Sequence, residues 1–113
     1  MRAVFAALGP LLPPPPPGAG RPFALSEPGQ LEALVQPAGL TPIHTAEVAC
    51  SFDYPDGETA WRALSSAGPF VAAIRGAGEQ RVQQAVEAAL APYRTGSGGV
   101  RLENSFRYLL ARA

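Results

Sequence analysis

The sequence predicts an α/β chain with several helices and only two strands. Three observations predict it. Apolar residues recur at three-four spacing from Glu79 to Tyr93, alternate with period two from Ile43 to Phe52, and alternate again from Val100 to Ala111. A two-stranded sheet alone is marginal in water. The pattern therefore asks for further strands or for a partner chain.

Residues 2–8 are apolar enough for two helical turns, stopped by Gly9 and Pro10. Residues 9–25 form a proline- and glycine-rich loop without periodicity, with five consecutive prolines at Pro13–Pro17. Ser26 is placed to cap a helix over about 28–36, with Glu27 and Pro28 in its first turn and Leu31, Leu34 and Val35 on one face. Pro37 ends that helix, and Gly39 suits a left-handed cap. In the strand over about 43–52, His44, Ala46, Val48, Cys50 and Phe52 share a face opposed by Thr45, Glu47, Ala49 and Ser51, so the strand reads as half-buried.

Tyr54-Pro55 reads as a turn, and Asp56 caps a helix over about 57–67 whose apolar side is Ala60, Trp61 and Leu64. Gly68-Pro69 breaks it; a helix resumes over about 70–76 and ends at Gly76 and Gly78. The helix over about 79–93 carries Val82, Ala85, Val86, Ala89, Leu90 and Tyr93 as one buried stripe. Thr95–Gly99 reads as a flexible loop. In the closing strand, about 100–111, Val100, Leu102, Asn104, Phe106, Tyr108 and Leu110 share a face, and Arg101, Glu103, Ser105 and Arg107 oppose it.

The chain has 113 residues, the size of a single domain, and 47% are hydrophobic. Nine basic residues, all Arg, balance nine acidic ones. That balance argues against a nucleic-acid partner, which needs an excess of positive charge, and against an acidic membrane surface. Cys50 is the single cysteine, so no internal disulfide forms and a reducing cytoplasm is expected. The apolar run after Arg2 meets Gly9 and Pro10 too early for a membrane span or a signal-peptide core.

The run GLTPIHTAEVACSFDYPDGETAWRALSSAGP, continued through APYRTGSGG and VRLENSFRYLLAR, resembles the C-terminal part of bacterial, actinobacterial-type class I S-adenosylmethionine-dependent methyltransferases. The likeness extends upstream through PFALSEPGQLEALVQPAGL, so it covers nearly the whole chain. It rests on a pattern across several segments and not on one catalytic signature. The resemblance implies an incomplete Rossmann-like methyltransferase fold, a single partial domain over residues 1–113. In it, Ile43–Phe52 corresponds to the sixth strand and Val100–Ala111 to the antiparallel last strand beside it. It further implies a small-molecule substrate and, in complete relatives, S-adenosylmethionine as donor.

The family's donor site is a glycine-rich turn after the first strand and an acidic residue ending the second, and the strands that would carry them are expected to precede Met1. None of the glycine clusters here substitutes for that turn. Gly18-Ala19-Gly20 follows prolines, Gly76-Ala77-Gly78 follows a helix, and Gly96–Gly99 joins a helix to the closing strand. No cofactor binding and no unaided catalysis are therefore expected of this chain alone.

Single chemistry-bearing residues have plain readings. His44 is the one histidine, at the start of a strand with no clustered carboxylate or serine nearby; Cys50 reads as a small core residue; together they make no metal site. Asn104 interrupts an apolar face and so needs a hydrogen-bond partner, and Glu103 is placed to pair with a neighbouring strand. Arg75, Arg81, Arg101 and Arg107 read as solvated. The substrate-pocket candidates are Phe52, Asp53, Tyr54 and Trp61. In an open α/β sheet, ligands bind beyond the carboxyl ends of the parallel strands, and these residues lie at and after such an end if 43–52 is parallel. Their plain reading is turn chemistry and core packing. A second functional reading is a non-catalytic interaction module or remnant, a homo-oligomer or a partner chain joining at exposed sheet edges. A third makes the proline run a ligand for aromatic grooves, but no Arg or Lys stands close beside it; Arg21 lies beyond a Gly-Ala-Gly spacer.

Overall fold

In the computed structural model, which describes residues 1–113, the elements in chain order are α1 (Arg2–Leu8), α2 (Gln30–Val35), β1 (Thr41–Ala49), β2 (Phe52–Tyr54), α3 (Gly57–Ser65), α4 (Gly68–Ala77), α5 (Glu79–Leu90), β3 (Val100–Leu102) and β4 (Ser105–Arg112). The chain is a mixed α/β protein of five α-helices and two small antiparallel sheets. It divides into two compact units. A helical unit comprises Met1–Pro16 with Ser51–Glu103, and a ribbon unit comprises Pro17–Cys50 with Asn104–Ala113.

The helical unit is built by the three-four spacing of its apolar residues. Val82, Val86 and Leu90 of α5 meet Val4 and Leu8 of α1, Leu64 of α3, Phe70 of α4, and Val100 and Leu102 of β3 in one buried cluster. Phe5 and Phe70 meet edge to face, ring centroids 5.9 Å apart, the arrangement the ring quadrupoles favour. β2 and β3 pair antiparallel, Phe52 opposite Leu102, Asp53 opposite Arg101 and Tyr54 opposite Val100.

The ribbon unit is β1 paired antiparallel with β4, with His44 opposite Leu110, Ala46 opposite Tyr108, Glu47 opposite Arg107 and Val48 opposite Phe106. The register slips between Pro42 and His44, where Pro42 has no N–H to donate to a ladder. α2 lies on the Thr45 side of the ribbon, where the Thr45 hydroxyl donates to Glu32 at 2.6 Å. Every buried hydrophobic residue of the chain belongs to the helical unit; the ribbon unit has none.

Several expectations need correction. Each predicted strand is divided. Ile43–Phe52 is β1 and β2, interrupted at Cys50-Ser51, and Val100–Ala111 is β3 and β4, interrupted at Glu103-Asn104. Both interruptions fall at the boundary of the two units. Period two survives them, so the alternation gives no sign of either. Ser26 does not cap α2. It ends a 3₁₀ turn over Ala24–Ser26, and Gly29, with φ 80°, precedes the helix instead. The helix over 79–93 is α-helical only to Leu90, then 3₁₀ through Tyr93, because Pro92 cannot donate to the ladder. Gly68-Pro69 opens α4, with proline in the first turn where a missing N–H costs nothing. Thr95–Gly99 is a tight turn: Gly98 donates to the Thr95 carbonyl at 3.0 Å and Thr95 to that of Gly99 at 2.9 Å. No helix is long and apolar enough to cross a membrane.

Candidate functional site

The substrate-pocket candidates divide between two sides of one short strand. Phe52 and Tyr54 alternate with Asp53 along β2, and both pack, partly buried, against the core of the helical unit. Trp61, on α3, packs against the same core. Burial raises the Tyr54 hydroxyl's pKa. Asp53 points the other way and is exposed, its carboxylate 3.1 Å from Arg101 Nη1 across the β2–β3 pair. Three of the four residues thus converge on one apolar body and the fourth does not. Asp53 and Tyr54 belong to a strand and not, as the sequence suggests, to a loop after one.

Arg101 is tied on three sides. It reaches Asp53, donates to Ser51 Oγ at 3.2 Å, and lies 3.7 Å from Glu103 Oε1. Its flank borders an open groove of about 270 Å³ lined by Pro92, Tyr93, Arg94, Thr95, Arg101 and Glu103. Two carboxylates already neutralise Arg101 there, and the exposed pairs are of the kind that contribute little stability.

The remaining residues are dispersed. His44 is exposed on β1, its ring centroid 6.0 Å from that of Tyr108 on the neighbouring strand. Cys50 is exposed, not a core residue, and its backbone N–H donates to the Asn104 carbonyl at 2.8 Å. Arg107 is not solvated: its guanidinium donates to Glu47 Oε1 at 2.6 Å and its side chain is mostly covered. That contact, with the Ser105 hydroxyl on Glu47 Oε2, holds the Glu47 carboxyl below the usual carboxylate range. The Thr45 hydrogen bond does the same for Glu32, helped by the charge of Arg107. No group of three His, Cys, Asp or Glu side chains is placed to hold a metal ion.

The feature that sets the ribbon unit apart is an apolar face whose large side chains are about half exposed. His44, Ala46 and Val48 on β1 and Phe106, Tyr108 and Leu110 on β4 share it, as the alternation predicts. The half-buried reading is corrected, because α2 covers the opposite face and the three β4 residues and Val48 stand about half exposed. Each strand also keeps one edge without a neighbour. Comparisons with protein-family models, with curated proteins and with solved structures give no match.

Sequence reasoning missed the Glu32–Thr45 tether and the Asp53–Arg101 pair. Both depend on pairing between residues far apart in the chain, and only the antiparallel register places Arg101 opposite Asp53.

Proposed function

We propose that residues 1–113 are the substrate-side, C-terminal part of a class I methyltransferase-like, Rossmann-like fold, with the β1–β4 ribbon as the closing hairpin of a larger sheet. One observation carries the reading. β1 and β4 pair antiparallel although three helices separate them in sequence, as the resemblance requires of its sixth and last strands. In this reading the helical unit walls a small-molecule substrate with Phe52, Tyr54 and Trp61. The methyl donor, S-adenosylmethionine, binds residues outside 1–113. The chain works in the cytoplasm, where exposed Cys50 stays reduced. Titration calorimetry of the purified chain with S-adenosylmethionine is expected to show no stoichiometric binding; clear binding overturns this division of labour. The coding DNA upstream of the Met1 codon is the second test. An in-frame strand followed by a glycine-rich turn supports the reading, and an immediate stop codon weighs against it.

A second reading, a non-catalytic interaction module or remnant, is favoured by the half-exposed apolar residues of the ribbon and by its strand edges without a neighbour.

A further inference from the structure

We infer that α2 is a strap held on the β1–β4 ribbon by the Arg107 guanidinium, which Glu32 and Glu47 share, and that neutralising Glu32 releases it. The groups of this latch all belong to the ribbon unit. Thr45 Oγ1 donates to Glu32 Oε1 at 2.6 Å. Arg107 Nη2 donates to Glu47 Oε1 at 2.6 Å, and the Ser105 hydroxyl donates to Glu47 Oε2 at 2.9 Å. Two atoms of the cluster remain, Glu32 Oε2 and Arg107 Nε, both buried and both without a hydrogen-bond partner.

A buried acceptor or a buried donor left unpaired costs stability singly. Here the acceptor and the donor carry opposite charge and stand on elements packed against each other, α2 and β4. The Arg107 charge already acts on Glu32. Each is the partner the other lacks. Closing the pair uses the guanidinium as a fork, with Nη2 on Glu47 and Nε on Glu32. Little else fastens α2. None of its residues is buried, and of its apolar residues Leu31 and Val35 alone are partly covered.

The charged groups on the α2 side of the ribbon are Glu47 on β1 and Arg107 on β4; the alternation sets His44, Tyr108 and Arg112 on the opposite face. Within 24–38, which holds α2 and the turns on either side of it, the ionisable residues are Glu27 and Glu32. Protonation of Glu32 at Oε2, the oxygen that Thr45 does not hold, sets a donor against the Nε–H and removes the pair. The folded pKa of Glu32 is depressed, by the Thr45 hydrogen bond first and by the Arg107 charge in addition. The latch therefore holds above the unfolded value of 4.5 and opens as pH falls through the folded one.

NMR of the full chain from about pH 7 to about pH 3, across the carboxylate range, tests this. At neutral pH the Arg107 Nε–H is expected to exchange about tenfold or more slower than those of the exposed Arg75 and Arg81. As pH falls, its shift should follow the Glu32 carboxyl carbon, and the α2 protection factors should drop before those of Val82 and Val86. Glu32→Gln keeps an acceptor for Thr45 and removes the charge. It is expected to speed Nε–H exchange and to lower α2 protection about tenfold at neutral pH, whereas Glu47→Gln preserves both. An Nε–H that follows the Glu47 carboxyl instead, or α2 protection indifferent to Glu32→Gln, overturns the inference. Loss of α2 protection with an unchanged Nε–H makes Thr45 the fastening and overturns the role of Arg107. Circular dichroism checks that Glu32→Gln folds; if it does not, the titration of the unsubstituted chain decides alone.

Discussion

Asp56 shows how a single side chain fixes a helix. Its carboxylate accepts from the Thr59 backbone N–H at 2.6 Å, which satisfies one of the free donors at the start of α3 and keeps the carboxyl below its ordinary pKa. Asp56→Ala is expected to lower the thermal midpoint and Asp56→Asn to retain most of it, since asparagine accepts the same bond. Because the folded pKa is depressed, the stabilisation is present above the unfolded value of 3.8 and is lost as pH falls through the folded one. The Asp56→Asn variant should lack this acid-dependent component in pH-dependent melting curves. This cap was legible from sequence, because an N-cap needs only neighbouring residues. Gly99 was not. A Cβ there would lie 2.7 Å from the Tyr54 carbonyl oxygen, a backbone atom of a strand distant in sequence. Gly99→Ala is expected to cost about 1–3 kcal/mol, measured by urea unfolding, because the backbone at Tyr54 or the turn must shift.

At the scale of elements, the two units differ in what holds them. α4 is fastened by Phe70, 1% exposed within the core, and Phe70→Ala is expected to cost about 3–5 kcal/mol, a large share of a domain stability of roughly 5–15 kcal/mol. α2 has no buried residue, and its Leu34 is 59% exposed, so Leu34→Ala should change the urea midpoint little. The contrast was not visible in sequence, where Leu31, Leu34 and Val35 look as amphipathic as the stripe of α5. Periodicity tells which residues share a face of a helix; the burial of that face depends on what the chain brings to it. The polar tether of Glu32 to Thr45 is therefore a main fastening of α2. Thr45→Val is expected to speed amide exchange across Gln30–Val35 while leaving α5 unaffected.

Across the whole molecule, stability is expected to be uneven. The ribbon unit combines a two-stranded sheet, no buried residue and two carboxylates, Glu32 and Glu47, whose pKa values lie below their usual 4.5. Both carboxylates stabilise above that value and cease to do so as pH falls through their folded pKa values. Acidification should therefore lower the amide protection factors in β1 and β4, each rate referred to its intrinsic value at that pH, before it lowers those of Val82, Val86 and Leu102, as site-resolved exchange would report. By itself the sequence determined the helices of the core, the cap at Asp56, the two alternating runs and which residues share each face of the ribbon. These rest on local spacing and on backbone chemistry a few residues long. Only the tertiary structure decided that the runs break at Cys50-Ser51 and Glu103-Asn104, that Arg101 meets Asp53, and that α2 lies on the Thr45 side while Phe106, Tyr108 and Leu110 on the other stay about half exposed. A period of two assigns side chains to faces, but which face meets a helix is set by contacts between distant segments, and alternation is the same for either outcome.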